Sequence, residues 1–353
     1  MSAVTPPTRV LIVEDSAVSV ALLTELINSD PALQVVGIAT DGVAAVAAAE
    51  RLRPDVITMD IHMPRLDGFG ATRRIMEECP TRIVIVTASL VPDEVAAGFR
   101  VLESGALALI GKPQGPGHPL FEATREELLR TIKTMAEVKV VRRRAPREGD
   151  AQPPRSVRAS QFETRLVAIG ASTGGPLALQ AILSRLAPGI GAPIAIVQHI
   201  SSGFSDGFAQ WLAQASNHAV RVAAHGDTLQ PGVAYVAPAG LQFTVQADCR
   251  AALVDAPPEH GFKPSVSCLF RSVAEQFGPQ AIGVLLTGMG RDGAQELDAM
   301  RRAGALTIAQ DKASAVVHGM PGEAVKLGAA VHVMAPETIA LTLNRLLIRD
   351  STQ

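Results

Sequence analysis

The sequence predicts an α/β protein in two parts: an N-terminal doubly wound, five-stranded parallel domain and a C-terminal α/β domain with a mixed sheet. Three observations carry this expectation. Short Val/Ile/Leu-rich runs alternate with helical patterns from residue 8 onward. A stretch dominated by arginine and proline interrupts the alternation over residues 142–160. The alternation then resumes at Arg165. At 353 residues the chain is also longer than one ordinary core requires, which favours two domains.

The first five runs cover residues 9–13, 34–38, 55–59, 82–86 and 107–110. They are almost continuously apolar, as strands covered on both faces of a parallel sheet must be. Helical patterns at 17–27 and 43–51 lie between them, the second ending before Pro54. Together they place the first domain at residues 8–138. The interrupting segment, RRRAPREGDAQPPRSVRAS, holds six Arg, three Pro and a single large aliphatic residue, Val157. It cannot build a core, and it marks a flexible linker set at 139–162. The second domain, 163–350, opens on a strand at 166–169 and a helix at 176–186 with proline in its first turn. A strand at 193–197 follows. Short strands with turns at 238–240 and at Asp248 fill 232–254, and these are expected to make part of the sheet antiparallel. A buried strand at 281–287, a helix at 294–302 and a strand at 305–310 complete the pattern.

Composition excludes several classes of function. Hydrophobic residues make up 47% of the chain, enough for two cores, yet no apolar run approaches the roughly 18–20 residues that span a bilayer. The opening MSAVTPPTR lacks a basic segment followed by an apolar one, so no secretory signal is expected. Cys79, Cys249 and Cys268 share no metal-ligand or redox spacing, which fits a reducing cytoplasm. A formal net charge of −2 and an aromatic content of 3% argue against nucleic acid as a partner.

In the first domain, polar residues cluster where strands end. Glu14 and Asp15 follow the first run, Asp60 the third, Thr87 the fourth and Lys112 the fifth. Ligands bind at that edge of open α/β sheets. Three converging carboxylates repel one another unless a cation sits among them, and hard oxygen ligands suit Mg²⁺. Lys112 and the Thr87 hydroxyl would then hold the oxygens of a phosphoryl group on Asp60. The strings LIVEDS, TMDIHMPRLDG, VTAS and GKP resemble a response-regulator receiver domain. The resemblance implies that Asp60 is the phosphoacceptor and that a histidine kinase is the donor. Leu109 stands where such domains often carry an aromatic.

In the second domain, Ser172 lies in Gly170-Ala-Ser-Thr-Gly-Gly175, between a strand and a helix. That turn exposes a hydroxyl at a helix N-terminus, and it fits the G-x-S-x-G nucleophile pattern. Alone the pattern is weak, because plain caps and phosphate cradles look alike. A serine needs a base. His199 follows the 193–197 strand and so mirrors Ser172, whereas His225, His260 and His318 fall in loop-like stretches. Asp292, after the 281–287 strand, is the acid that would orient the imidazole. Gly288-x-Gly290-x-x-Gly293, with Asp311 beyond it, also matches a dinucleotide-binding fingerprint, and locally the two readings are near even. Its late position in the chain, and the unexplained Ser172 and His199, count against a nucleotide. Two rival readings stand beside this one: a receiver-linked dehydrogenase, kept alive by the fingerprint at Gly288, and a DNA-binding regulator, against which the near-neutral charge and the lack of a basic recognition helix in the second half both count.

The strings AIGASTGG, VQHI, YVAPAG, KPSVSCLFRSVA, LLTGMGRDGA and GMPGEA resemble the catalytic domain of the chemotaxis protein-glutamate methylesterases. The resemblance implies that Ser172 is the nucleophile, His199 the base and Asp292 the orienting acid, with Thr173 and Met289 at the oxyanion site. It implies demethylation of glutamyl γ-methyl esters, and deamidation of glutamines, on methyl-accepting chemoreceptors, with no metal in the hydrolytic step. Ser267 stands where many relatives are expected to carry an acid. The first domain is expected to restrain access to Ser172 until Asp60 is phosphorylated.

Overall fold

The structure is a computed structural model that describes residues 6–88, 91–138 and 163–348. The linker expected at 139–162 lies outside the described residues. The chain divides into two compact units, Met1–Pro146 and Arg147–Gln353. Among the described residues no helix is long and apolar enough to cross a membrane.

The first unit alternates strand and helix: β1 (Thr8–Val13), α1 (Ala17–Asn28), β2 (Leu33–Ala39), α2 (Gly42–Leu52), β3 (Val56–Met59), α3 (Gly68–Glu78), β4 (Arg82–Thr87), α4 (Pro92–Glu103), β5 (Ala108–Gly111) and α5 (Phe121–Glu137). All strand pairings are parallel, in the order β2-β1-β3-β4-β5. Strand interiors such as Val10–Val13 and Ile83–Val86 are buried, because helices cover both faces. Side-chain caps start three of the helices: Ser16 for α1, Asp41 for α2 and Asp67 for α3. The chain leaves β1 in one direction for β2 and returns on its other side as β3. That reversal opens a crevice at the carboxyl ends of β1 and β3.

The second unit is built on a seven-stranded sheet in the order β14-β13-β12-β6-β7-β9-β8. Its strands are β6 (Leu166–Ala171), β7 (Ile194–Gln198), β8 (Ala219–Val222), β9 (Val233–Val236), β12 (Ala281–Leu285), β13 (Leu306–Gln310) and β14 (His332–Met334). The helices are α6 (Gly175–Leu183), α7 (Ser205–Ser216), α8 (Val266–Phe277), α9 (Ala294–Arg302), α10 (Met320–Lys326) and α11 (Pro336–Leu347). The mixed sheet expected from the sequence does not form. Every pairing in the large sheet is parallel, and antiparallel pairing is confined to a separate two-stranded sheet of β10 (Gln242–Val245) and β11 (Ala251–Val254). The turn at Asp248 does join an antiparallel pair, but a turn fixes only the two strands it connects. β9 reaches β7 through a crossover that includes α7, and crossovers deliver parallel neighbours.

β6 lies mid-sheet, with β7 on one flank and the much later β12 on the other. The sheet therefore has its own switch point beside the end of β6. Helix α8 covers this region. Leu269, Phe270, Val273 and Phe277 form a buried stripe at helical spacing, packed with Leu166, Tyr235 and Leu285. Burying each such side chain is worth about 1.5–3 kcal/mol, which fixes the helix, and hence its N-terminus, against the sheet.

Candidate active site

In the first unit the five singled-out residues meet at one edge. The Asp60 N–H donates to the Val13 carbonyl at 2.9 Å, so Asp60 follows β3 directly beside the end of β1. Glu14, Asp15 and Asp60 each bring a carboxylate oxygen within 4.8 Å of the others. Lys112 Nζ lies 2.6 Å from Glu14 Oε2 and 2.7 Å from Asp60 Oδ2. Burial pushes the Glu14 carboxyl up, and the neighbouring Asp60 charge adds to this despite the bond to Lys112. Burial works against the Lys112 charge, but its bonds to Asp60 and Glu14 outweigh that and raise its pKa. Three hard oxygen donors converging on one point form a set suited to a divalent cation such as Mg²⁺. Thr87 ends β4, is buried, and accepts the Lys112 N–H at its carbonyl, 2.8 Å away. Ser89, which closes the VTAS string, lies outside the described residues.

In the second unit the catalytic candidates gather at the switch point. Ser172 follows β6, and its N–H donates to the Thr287 carbonyl beyond β12 at 3.0 Å. Gly174, at φ 77°, turns the chain from Ser172 into α6. His199 follows β7, and its N–H donates to the Ala171 carbonyl at 3.0 Å, so the two residues leave adjacent strand ends. Gln198, a residue whose role no sequence pattern marks, ties them together. Its Nε2 donates to the Ser172 and His199 carbonyls, both at 2.9 Å. Only glycine fits beside it at position 175, where a Cβ would sit 2.1 Å from Gln198 Oε1.

His199 Nε2 lies 2.8 Å from Asp292 Oδ2, and both side chains are buried, 5% and 1% exposed. His199 Nδ1 is buried without a hydrogen-bond partner among the described residues. An ionised Asp292 can only accept, which makes Nε2 the donor of this bond, and in the neutral ring Nδ1 then carries the lone pair. Asp292 also accepts the Val266 N–H at 2.7 Å and the Ser267 N–H at 3.0 Å. Both belong to the first turn of α8, whose N-terminus favours negative charge. Burial pushes the Asp292 carboxyl up, but the His199 ring and the hydrogen bonds from Ser267 and Val266 outweigh it. They hold the carboxyl below the usual carboxylate range.

Ser267, where an acid was expected, is fully buried. Its Oγ donates to Glu296 Oε2 at 2.7 Å and accepts the Gly293 N–H at 3.0 Å. It therefore braces the loop that carries Asp292. Thr173 directly follows Ser172, and its carbonyl accepts the Thr287 hydroxyl at 2.9 Å. Met289 is 41% exposed on the loop after β12. The Phe262 ring stacks on the His199 ring with centroids 3.7 Å apart and planes 6° from parallel. No sequence pattern marks Phe262.

The glycine fingerprint has another explanation in the fold. A Cβ on Gly293 would lie 2.3 Å from Val266 Cγ1, so that glycine serves close packing of the loop on α8. Asp311 is engaged in its own turn, accepting from the Ser314 N–H and hydroxyl at 2.8 and 2.9 Å. Among the remaining histidines, His225 bonds to Leu253, His260 occupies a left-handed turn at φ 52°, and His318 bridges Gly288.

Known proteins match both units. The CheB methylesterase family profile matches residues 167–343, and the response regulator receiver domain profile matches residues 10–122. A protein-glutamate methylesterase/protein-glutamine glutaminase from Geobacter metallireducens is 50% identical over 341 residues, covering 96% of this chain and 98% of that protein. One of the same name from Syntrophus aciditrophicus is 50% identical over 346 residues, covering 96% and 98%. The solved CheB methylesterase catalytic domain of Thermotoga maritima is 32% identical, covers 53% of this chain and all of its own, and superposes with a TM-score of 0.51. Matched over half its length by the methylesterase profile and over nearly all of it by these relatives, the chain belongs to the CheB methylesterase family, with a receiver domain ahead of the methylesterase domain.

Proposed function

We propose that this chain is a phosphorylation-regulated serine hydrolase that removes γ-methyl esters from glutamates of chemoreceptors and deamidates receptor glutamines, in sensory adaptation. The observation that carries the hydrolytic half is the buried His199–Asp292 pair, 2.8 Å apart, on the strand end next to that of Ser172. Ser172 Oγ attacks the side-chain carbonyl while His199 Nδ1 takes its proton. Asp292 stabilises the imidazolium that forms. The N–H groups of Thr173 and Met289 receive the developing oxyanion. His199 then protonates the departing methoxide, which leaves as methanol, or in deamidation the amide nitrogen, which leaves as ammonia. Water attacks the acyl-enzyme by the same route in reverse and frees the glutamate.

Asp60 is the phosphoacceptor, and a histidine kinase is the donor. Glu14, Asp15 and Asp60 would hold Mg²⁺, which when bound supplies positive charge against the phosphoryl oxygens. Lys112 and Thr87 hold those oxygens once Asp60 carries them. The receiver is assigned to 8–138, the linker to 139–162 and the hydrolase to 163–350. A cytoplasmic location fits a kinase donor and receptor tails as substrate.

The test is methanol release from methylated receptor, with and without a small-molecule phosphodonor. Wild type should release methanol faster with the donor, and Asp60→Asn should not respond to it. Ser172→Ala should release none above background. Continued release by Ser172→Ala sinks the hydrolase assignment. Deleting residues 1–145 should raise basal release, and an unchanged rate in a folded fragment removes the regulatory reading.

A further inference from the structure

We propose that Phe262 is a positioning residue for the hydrolysis, its ring stacked on His199 to hold the imidazole where Nε2 meets Asp292 and Nδ1 is left to serve Ser172. The inference rests on the reading of His199 as the base. His199 has one side-chain hydrogen bond, from Nε2 to Asp292, and its Nδ1 has no partner among the described residues. A ring tethered at one atom can still pivot about that bond and swing its other nitrogen away from the serine. A flat ring lying 3.7 Å from it and 6° from parallel blocks that rotation. The same face also favours the positive charge that His199 carries in the transition state.

Phe262 is itself held firmly. It closes a tight turn, Glu259-His260-Gly261-Phe262, in which the Phe262 N–H donates to the Glu259 carbonyl at 2.8 Å and the Glu259 N–H returns a bond at 3.0 Å. His260 and Gly261 both have positive φ, 52° and 83°, the signature of a type I′ turn. Arg271 clamps the turn from α8, with bonds of 3.1 and 2.7 Å to the two Glu259 carboxylate oxygens. Gln242 Nε2 donates to the Pro257 carbonyl at 3.1 Å, and Gly240 N–H to the Lys263 carbonyl at 3.0 Å. Helix α8 therefore sets both supports of the imidazole. Its first turn holds Asp292 at the ring edge, and Arg271 holds the turn that lays Phe262 on the ring face.

The test compares Phe262→Ala, Phe262→Leu and Phe262→Tyr with wild type by steady-state methanol release in the full chain. The Ala variant should lose roughly 10-fold or more in kcat with KM within about 2-fold, because orientation acts on the transition state rather than on binding. Tyr, which keeps a flat ring, should restore kcat to within about 3-fold, whereas Leu, which keeps bulk but not the plane, should not. Should Phe262→Ala fail to fold, judged by its melting curve, the Tyr–Leu comparison decides alone. Equal kcat for Leu and Tyr, or a change confined to KM, overturns the proposal. His199→Ala runs in parallel. If it stays active, the catalytic reading falls. If it is inactive while Phe262→Leu equals wild type, only the positioning role falls.

Discussion

Replacing Asp292 by Asn is the sharpest probe of the second unit, because both carboxylate oxygens accept hydrogen bonds from buried donors and an amide has only one oxygen to offer. Its Oδ2 accepts from His199 and the Val266 N–H, and its Oδ1 accepts from the Ser267 N–H. An amide offers one oxygen and one NH₂. With the oxygen in the Oδ2 place, the NH₂ faces the Ser267 N–H, donor against donor. With the oxygen in the Oδ1 place, the NH₂ faces Val266 N–H and His199 Nε2. His199 must then move its proton to Nδ1, the nitrogen that should receive the serine proton. Either arrangement leaves a buried donor unmatched, which costs about 1–3 kcal/mol of stability. The second also selects the wrong tautomer, and both remove the charge that stabilises the imidazolium. Loss of a triad acid by this route lowers kcat by roughly 10⁴-fold, or about 5.5 kcal/mol of barrier. The assay is methanol release under saturating methylated receptor, with urea unfolding of the same variant. An Asp292→Asn protein that is folded and within tenfold of wild-type kcat refutes the reasoning. The pH dependence has a definite sign. The folded-state pKa of Asp292 is depressed, so its stabilising contribution is fully present above the unfolded value of about 3.9 and disappears as pH falls through the lower folded value. The stability gap between wild type and variant should close as pH falls below about 4.

Other outcomes test neighbouring parts of the site. Gly175→Ala drives a Cβ toward Gln198, whose amide ties Ser172 to His199; overpacking there should cost about 1–3 kcal/mol in urea unfolding and lower kcat more than tenfold. Ser267→Ala leaves the Gly293 N–H without its acceptor, which predicts about 1–3 kcal/mol of lost stability and a smaller fall in kcat than Asp292→Asn shows. Lys112→Ala removes the cation between Glu14 and Asp60, and a small-molecule phosphodonor should no longer accelerate methanol release. A Lys112→Ala protein that responds like wild type removes that residue from the switch.

Strand runs were legible in the sequence because the central ones are buried on both faces, and continuous apolarity is a local signal. The runs at 9–13, 82–86 and 193–197 correspond closely to β1, β4 and β7. Residues that follow such runs were legible for the same reason, which is how Asp60, Ser172, His199 and Asp292 could be picked out. Helices α3, α4, α5, α7, α8, α10 and α11 and strands β8 and β14 have no residue range among the patterns read from the sequence. β8 and β14 are short edge strands that lack the continuous burial of the central strands, so their periodicity is faint.

By itself, then, the sequence determined two α/β units and the chemistry that stands at their strand ends. It did so because residue type and local periodicity are enough to say which segments must be buried and where each one stops. Only the tertiary structure decided which strand ends become neighbours. It put β12 beside β6, making the large sheet parallel throughout, and so brought Asp292 to a histidine 93 residues earlier. It set the first turn of α8 behind Asp292, turned Ser267 into a brace, and laid Phe262 on His199. Those relations depend on the packing of whole elements against one another, and no run of neighbouring residues encodes that.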